Sequence, residues 1–446
     1  MPFLGMSVPD WNTADLAAAD KNHVWHPFTA MLPWCAPEHE PLFLTHGEGV
    51  WLWDSRGRKY LDGNSSIWTN IHGHKHPKLV AALSTQAATV AHTSFLGFSN
   101  PWAVTLASRL CGFFPKSRLN KVFFTDDGST AIECAVKMAI QYRQLCGQPE
   151  RVGFAAFTNA YHGDTLGAAS LGGVSAFCER FARWGMQPLR VSSLEDLERL
   201  PECEIQKLTA VIIEPMVQGV NRFALWPQGM LAGLRAWCDA YDVLLILDEV
   251  MTGFGRTGRM FACQHEDVVP DFLCLAKGIT GGTLPLAATL VSDTVYEGFL
   301  GTAEHPETFF YGHSYCGNPL GCAVALASLD IFAEENVIEH LPPKIAAMAR
   351  GLEQLQQRFP RHIAATRQLG MIGAVDVVSA PGVPWPATQQ MGAVICRAAR
   401  AHGLLTRPVL DTLVIMPPLS ISIAEIDFLF SALAAGLEDA MQTQTA

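Results

Sequence analysis

The sequence predicts an α/β fold whose mostly parallel sheet runs from about residue 75 to residue 335. Two observations predict it. Six short strand-like runs recur along the middle of the chain, most of them apolar without alternation, as when helices cover both faces of a sheet. Helical patterns lie between them, and that alternation favours a parallel sheet. A repeat architecture is disfavoured, because no period of about 20–50 residues and no low-complexity segment stands out.

In order, the predicted strands are Lys121–Thr125, Val152–Phe157, Ala210–Glu214, Val243–Asp248, Phe272–Ala276 and Leu286–Val291. Helical stretches include Ser129–Cys146 and Gly229–Tyr241. Beyond residue 335 the character changes: a helical pattern from Pro342 to Phe359 precedes short strands near Met371–Val378 and Thr412–Met416, then a last helix from Ile423. This reads as a smaller α+β domain. The first 70 residues, rich in Trp, Pro and His, match neither pattern and are expected to wrap against one or both.

Composition narrows the function. The chain has 446 residues, 49% apolar and 16% charged, which describes a well-cored globular protein. A net charge of −11 without basic runs argues against nucleic acid and against a membrane surface. The N-terminal stretch has no cationic region before its apolar patch, and no apolar run approaches a spanning length. Twelve cysteines without a C-x-x-C pair read as reduced thiols, so a cytoplasmic location is expected.

Chemistry is expected at the carboxyl ends of the strands, where open α/β sheets bind ligands. In "FFTDDGSTA", Gly128 and Ser129 open a helix whose free N–H groups and dipole suit a phosphate, although Ser129 alone reads equally as a plain N-cap. In "LLILDEVMTGFGRTG", Gly253, Gly255 and Gly258 match G-x-G-x-x-G. A dinucleotide site would need an acidic residue closing the next strand, yet that strand opens on Asp271 and closes on Lys277. His72, His74 and His76 in "NIHGHKHP" would share a face on a strand and bind a metal. Gly73 and Pro77 point to a turn instead, and no carboxylate or cysteine stands nearby, so no metal is expected. "FTNAYHGDT" sets Tyr161, His162 and Asp164 after a strand, either a polar turn or an aromatic plate.

One pairing organises these fragments. Asp248 and Lys277 end consecutive strands at one sheet edge. A desolvated lysine loses proton affinity and attacks carbonyls, and a neighbouring aspartate can hold a protonated pyridine nitrogen. With a phosphate cup at Gly128–Ser129 and an aromatic plate at Tyr161, the set fits pyridoxal 5′-phosphate (PLP). A structural Asp–Lys ion pair in a non-enzyme is the competing reading.

At these residues the chain resembles the class III (ω-) aminotransferases, which have the fold-type I architecture of PLP enzymes. The resemblance is dense in "DDGSTAIECAVKMA", "NAYHGDT", "IIEPMVQG", "LDEVMTGFGRTGRMFAC", "CLAKGITGG" and "FYGHSYCGNPLGCAVAL". Within the class, "HVWHPFT", "DGNSSIWTNIHGH", "LLTRP" and "MPPL" look like the branch that converts 8-amino-7-oxononanoate to 7,8-diaminononanoate in biotin synthesis. The resemblance implies that Lys277 carries the cofactor and shuttles a proton, Asp248 holds the ring nitrogen, and Tyr161 stacks on the ring with Val250 beneath. It implies that Gly128 and Ser129 bind the phosphate together with His313 and Ser314, the latter reaching it from the partner of a homodimer. Phe28, Ile67, Trp68, Tyr161, Gly312 and Arg407 would contact substrate, with Arg407 on its carboxylate; from the residues alone Arg407 reads as a surface arginine. Three parts follow: an N-terminal segment over 1–70 against the small domain and the partner, a cofactor domain over 71–335, and a small domain over 336–446.

The amino donor is where the pattern departs. The branch using S-adenosylmethionine has a Trp-Trp pair at Ile67-Trp68 and tyrosines at Phe28 and Val414. Each lost aromatic–cation contact weakens a sulfonium donor by about 0.5–2 kcal/mol. "HPFT", "SSIW" and "GHSY" look more like a smaller branch that uses lysine, so lysine is the favoured donor and S-adenosylmethionine the alternative. The competing function is another ω-aminotransferase acting on β-alanine, 4-aminobutyrate, ornithine or an amine.

Overall fold

The structure, a computed structural model, describes residues 12–116 and 118–445. Residues 1–11, at the head of the expected 1–70 segment, lie outside the described residues. A central sheet of seven strands comprises β1 (Leu119–Thr125), β2 (Gly153–Phe157), β3 (Leu189–Val191), β4 (Leu208–Ile213), β5 (Leu244–Asp248), β6 (Phe272–Leu275) and β7 (Ala287–Ser292). Their spatial order is β1–β7–β6–β5–β4–β2–β3. The pairs from β6 to β3 are all parallel, and β7 runs antiparallel to both its neighbours.

The continuous apolar strands behave as the sequence requires. In β4 and β5, Val211, Ile213, Leu245 and Leu247 enter one core while Ala210, Ile212, Leu244 and Ile246 enter another on the opposite face. Every residue of these strands is therefore buried, each large aliphatic contributing about 1.5–3 kcal/mol. The helix Gly128–Leu145 covers the second face with a stripe of Ala131, Ile132, Ala135, Val136 and Ala139. It begins in a capping box in which the Thr130 N–H donates to Asp127 Oδ1, 3.1 Å, and the Thr130 hydroxyl group pairs with the Asp127 N–H.

Two smaller sheets flank this layer. Leu44–Glu48, Trp51–Asp54 and Lys59–Asp62 form an antiparallel run, and Leu404–Leu405 joins its last strand in parallel. The second is antiparallel, in the order Ile363–Leu369, Ile372–Val377, Thr412–Ile415, Pro408–Val409. Helices Leu341–Arg358 and Met391–Ala401 pack against it, and Ile423–Thr445 packs against both helices. Three strands lie within the first 70 residues, where the sequence pattern marks none, and β3 and Ile363–Leu369 likewise lie outside the predicted strands. Among the described residues no helix is long and apolar enough to cross a membrane.

Candidate active site

Parallel pairing aligns the carboxyl ends of β4, β5 and β6, and the reversed β7 begins at the same edge, its Ala287 opposite Thr125. A cavity of about 470 Å³ opens there. Its wall includes Gly128, Ser129, Tyr161, Asp248, Val250, Lys277 and Trp68, which the sequence reading singled out. It also includes His162 and Glu214, which that reading gave no role.

Lys277 follows β6 with φ 45°, a backbone region unfavourable for a residue with a Cβ. Its Nζ lies 4.7 Å from the centre of the Trp68 indole. Burial lowers its pKa to about 8, with Asp248 and Glu214 opposing the shift and Arg256 adding to it. An amine held in this way is still mostly protonated at pH 7, but a far larger share of it is free to act as a nucleophile than in an ordinary lysine.

Asp248 closes β5, and both its oxygens are engaged. Oδ1 accepts the Val250 N–H at 3.1 Å, and Oδ2 accepts from His162 Nδ1 at 2.8 Å. The carboxylate therefore fixes the tautomer of a fully buried imidazole, whose Nε2 has no partner. Glu214, one residue past β4, accepts the N–H groups of Tyr161 (3.1 Å) and Gly219 (2.9 Å). Burial pushes its pKa up to about 7, a little more through Asp248, while His162 and these two N–H groups oppose. The Tyr161 hydroxyl donates to Asp164 Oδ2 at 2.5 Å, and burial followed by this contact raises the phenol. The Asp164 N–H donates to Ser129 Oγ at 3.1 Å, which joins the tyrosine turn to the helix start.

Other expected residues lie off the cavity wall. Phe28 is exposed, its ring edge-on to Phe177 at 5.8 Å, and Phe177 meets Tyr161 at 5.5 Å. Ile67 is exposed beside Trp68. His313 lies 3.5 Å from Asp126, a wall residue, while Gly312, Ser314 and Arg407 are exposed outside it. Val414 is buried in an apolar cluster with Trp68, Phe223 and Met251. The three histidines turn to different partners: His72 to Ser328, His74 to Asp62 and His76 to Glu335. The glycine motif after β5 makes a tight turn in which Gly255, at φ 87°, leaves room for Leu419.

A family model described as aminotransferase class-III matches residues 34–437. The chain belongs to the class III aminotransferases. It is 44% identical to the adenosylmethionine-8-amino-7-oxononanoate aminotransferase of Geobacter sulfurreducens, over 98% of this chain and all of that one. The crystal structure of the enzyme of that name from Methanocaldococcus jannaschii superposes with a TM-score of 0.92 at 37% identity, covering 96% and 99% of the two chains. An amine transaminase from an uncultivated Pseudomonas species, in its PLP-bound form, gives 0.87 at 32% identity over 94% and 99%. The fold is thus fold-type I, and the family's cofactor is PLP.

The residues present fit that cofactor. The Gly128 and Ser129 N–H groups make no hydrogen bond in the structure and open an 18-residue helix at the cavity. A Cβ on Gly128 would sit 2.6 Å from a Val250 methyl, and one on Gly163 2.2 Å from Ser129 Oγ, so the cradle is kept open by missing side chains. An acid and a buried amine stand on the same wall.

Proposed function

We propose that this chain transfers an amino group to 8-amino-7-oxononanoate, giving 7,8-diaminononanoate for biotin synthesis, with lysine as donor. The observation that carries the chemistry is the buried Lys277 amine, lowered to about 8 on one wall with Asp248. The acceptor rests on likeness to enzymes named for it. The donor rests on what surrounds Trp68. Val414, Met251, Phe223, Ile372 and Met416 form an apolar cluster with it, and Ile67 and Phe28 stand where a second indole and a phenol would serve a sulfonium. Trp68 and Met251, the members of that cluster on the cavity wall, offer an apolar surface suited to the methylenes of lysine.

PLP, when bound, supplies an electron-withdrawing ring that stabilises negative charge at the carbon bearing the amino group. Asp248 would hold the ring nitrogen protonated, with His162 orienting the carboxylate. Gly128 and Ser129 would hold the phosphate at the helix N-terminus. Lys277 would carry the group on Nζ and then move the proton at the reacting carbon, a task suited to an amine that titrates near 8. Tyr161 would cover the ring, and Val250 would support its other face. Arg407, exposed and without a hydrogen bond or ion pair in the structure, would receive the acceptor's carboxylate. Gly312, His313 and Ser314 would complete the site across a homodimer.

The test is a donor screen with 8-amino-7-oxononanoate, following diaminononanoate by mass spectrometry. Millimolar lysine should support product. Product with micromolar adenosylmethionine, and none with lysine, would overturn the donor and leave the acceptor standing. Turnover of a simple ω-amine with pyruvate, and none of the oxononanoate, would instead favour the amine transaminase reading that the Pseudomonas structure represents.

A further inference from the structure

We infer that Asp62 is a positioning residue for transamination: together with His74 it holds a left-handed turn that sets the Trp68 indole over the Lys277 amine. The turn is Ser65–Trp68, where four successive residues have φ of 47°, 48°, 68° and 68°. Ser66 and Ile67 have ψ of 48° and 56°, close to an ideal left-handed helix. L-residues avoid this region, and a β-branched residue such as Ile67 avoids it most. Gly or Asn would occupy it readily, but the chain places Ser-Ser-Ile-Trp there. Something outside the turn must therefore stabilise it.

The support is visible. Asp62 Oδ1 accepts the Ser66 N–H at 3.0 Å, and Oδ2 accepts the Ser66 hydroxyl at 2.8 Å. His74 Nε2 donates to the same Oδ2 at 3.0 Å. His74 is itself fixed, because its backbone bridges to Gly49 in the N-terminal sheet. The Ser65 hydroxyl ties the start of the turn to the Met416 carbonyl at 2.6 Å. At the far end Trp68 donates Nε1–H to Asn64 Oδ1 at 2.8 Å and meets the Phe223 ring edge-on, which leaves its face toward Lys277 Nζ. The carboxylate thus acts on the reacting amine through a turn. The histidine that looked like part of a metal motif serves as its anchor.

The inference rests on Lys277 being the reacting amine and not on which acceptor or donor is used. Transfer from any amine the protein accepts can therefore test it, and failure of the oxononanoate assignment would leave the test intact. Three variants separate turn support from other roles. Asp62→Ala removes all three hydrogen bonds and should slow transfer about tenfold or more, the scale expected for a misplaced group. Asp62→Ala with Ser66→Gly should recover most of the loss, because glycine needs no support at positive φ. Ser66→Val, at an exposed site, adds a β-branch without changing any charge and should reproduce the slow phenotype.

A second readout avoids both activity and cofactor. Competitive acylation of the cofactor-free chain, read at the Lys277 peptide, reports that amine's proton affinity. Loss of the indole face disfavours the ammonium, so Ser66→Val should shift the titration to lower pH. Normal transfer in Asp62→Ala, or no recovery with Ser66→Gly in a folded protein, would overturn the inference. If Asp62→Ala does not fold, equal rates and equal Lys277 titrations for Ser66→Val and Ser66→Gly would overturn it as well.

Discussion

Glu214 stands on the cavity wall with its pKa pushed up to about 7 from an ordinary 4.5, and the sign of that shift has a measurable consequence. Between those values the folded chain keeps a proton that the unfolded chain has lost. The stability this group contributes is present in full below about 4.5 and is lost as pH rises through 7. Glu214→Gln cannot ionise, so relative to the parent it should gain stability from pH 5 to pH 8, by on the order of 3 kcal/mol in the cofactor-free protein. Parallel Tm curves for the two chains over that range would refute the buried-carboxylate account. The residue was as legible as Asp248, since the predicted strand Ala210–Glu214 ends on it just as Val243–Asp248 ends on the aspartate. What the sequence lacks is a partner for it, since the next strand closes on another acid, Asp248, and not on a cation. His162 was harder to read, because its partner lies 86 residues away and only the folded sheet joins them.

At the scale of elements, the helix Gly128–Leu145 and the turn after β5 meet with no room to spare. A methyl on Gly128 would lie 2.6 and 3.0 Å from the two Val250 methyls, too close without movement. Val250 cannot move freely, because its N–H is held by Asp248. Gly128→Ala should therefore weaken PLP retention about tenfold or more, the scale of an ångström-level displacement, as equilibrium dialysis would show. Adding Val250→Ala should restore part of it, and unchanged retention in the single variant would remove the cradle argument. The two sides of this junction were legible separately, as a strand closing at Asp248 and a Gly-Ser pair after β1, whereas their contact is set by the fold. The sequence did not reveal the three-residue β3, which is too short for a period to register. Ile363–Leu369 escaped as well, because Thr366, Arg367 and Gln368 interrupt any apolar pattern. The reversal of β7 has no signature in composition, since buried antiparallel and parallel strands read alike.

Over the whole molecule the surface is not evenly polar. Phe310 is 86% exposed, Phe98 72% and Leu96 64%. Segments 92–98 and 310–317 lie side by side: the Tyr315 ring is 4.5 Å from that of His92, and Gly317 packs against the Phe95 ring. Monomeric proteins rarely leave such apolar groups together in water. The same strip carries Ser314, and His313 next to it approaches Asp126 on the cavity wall. An apolar strip that runs into the edge of an active site is best explained by a second copy covering it, which would bring each subunit's strip to the other's cavity. The chain should then sediment as a dimer at micromolar concentration. Phe310→Asp places a charge on an exposed ring position, so the monomer should stay folded while the dimer dissociates, with Tm lowered by the loss of the subunit contact. Because Gly312–Ser314 are proposed to complete the partner's phosphate site, the monomeric variant should also lose PLP and transfer activity together. Were the parent monomeric and fully active, or Phe310→Asp monomeric with normal PLP retention, the site would have to be complete within one chain, and Ser314 would have no part in it.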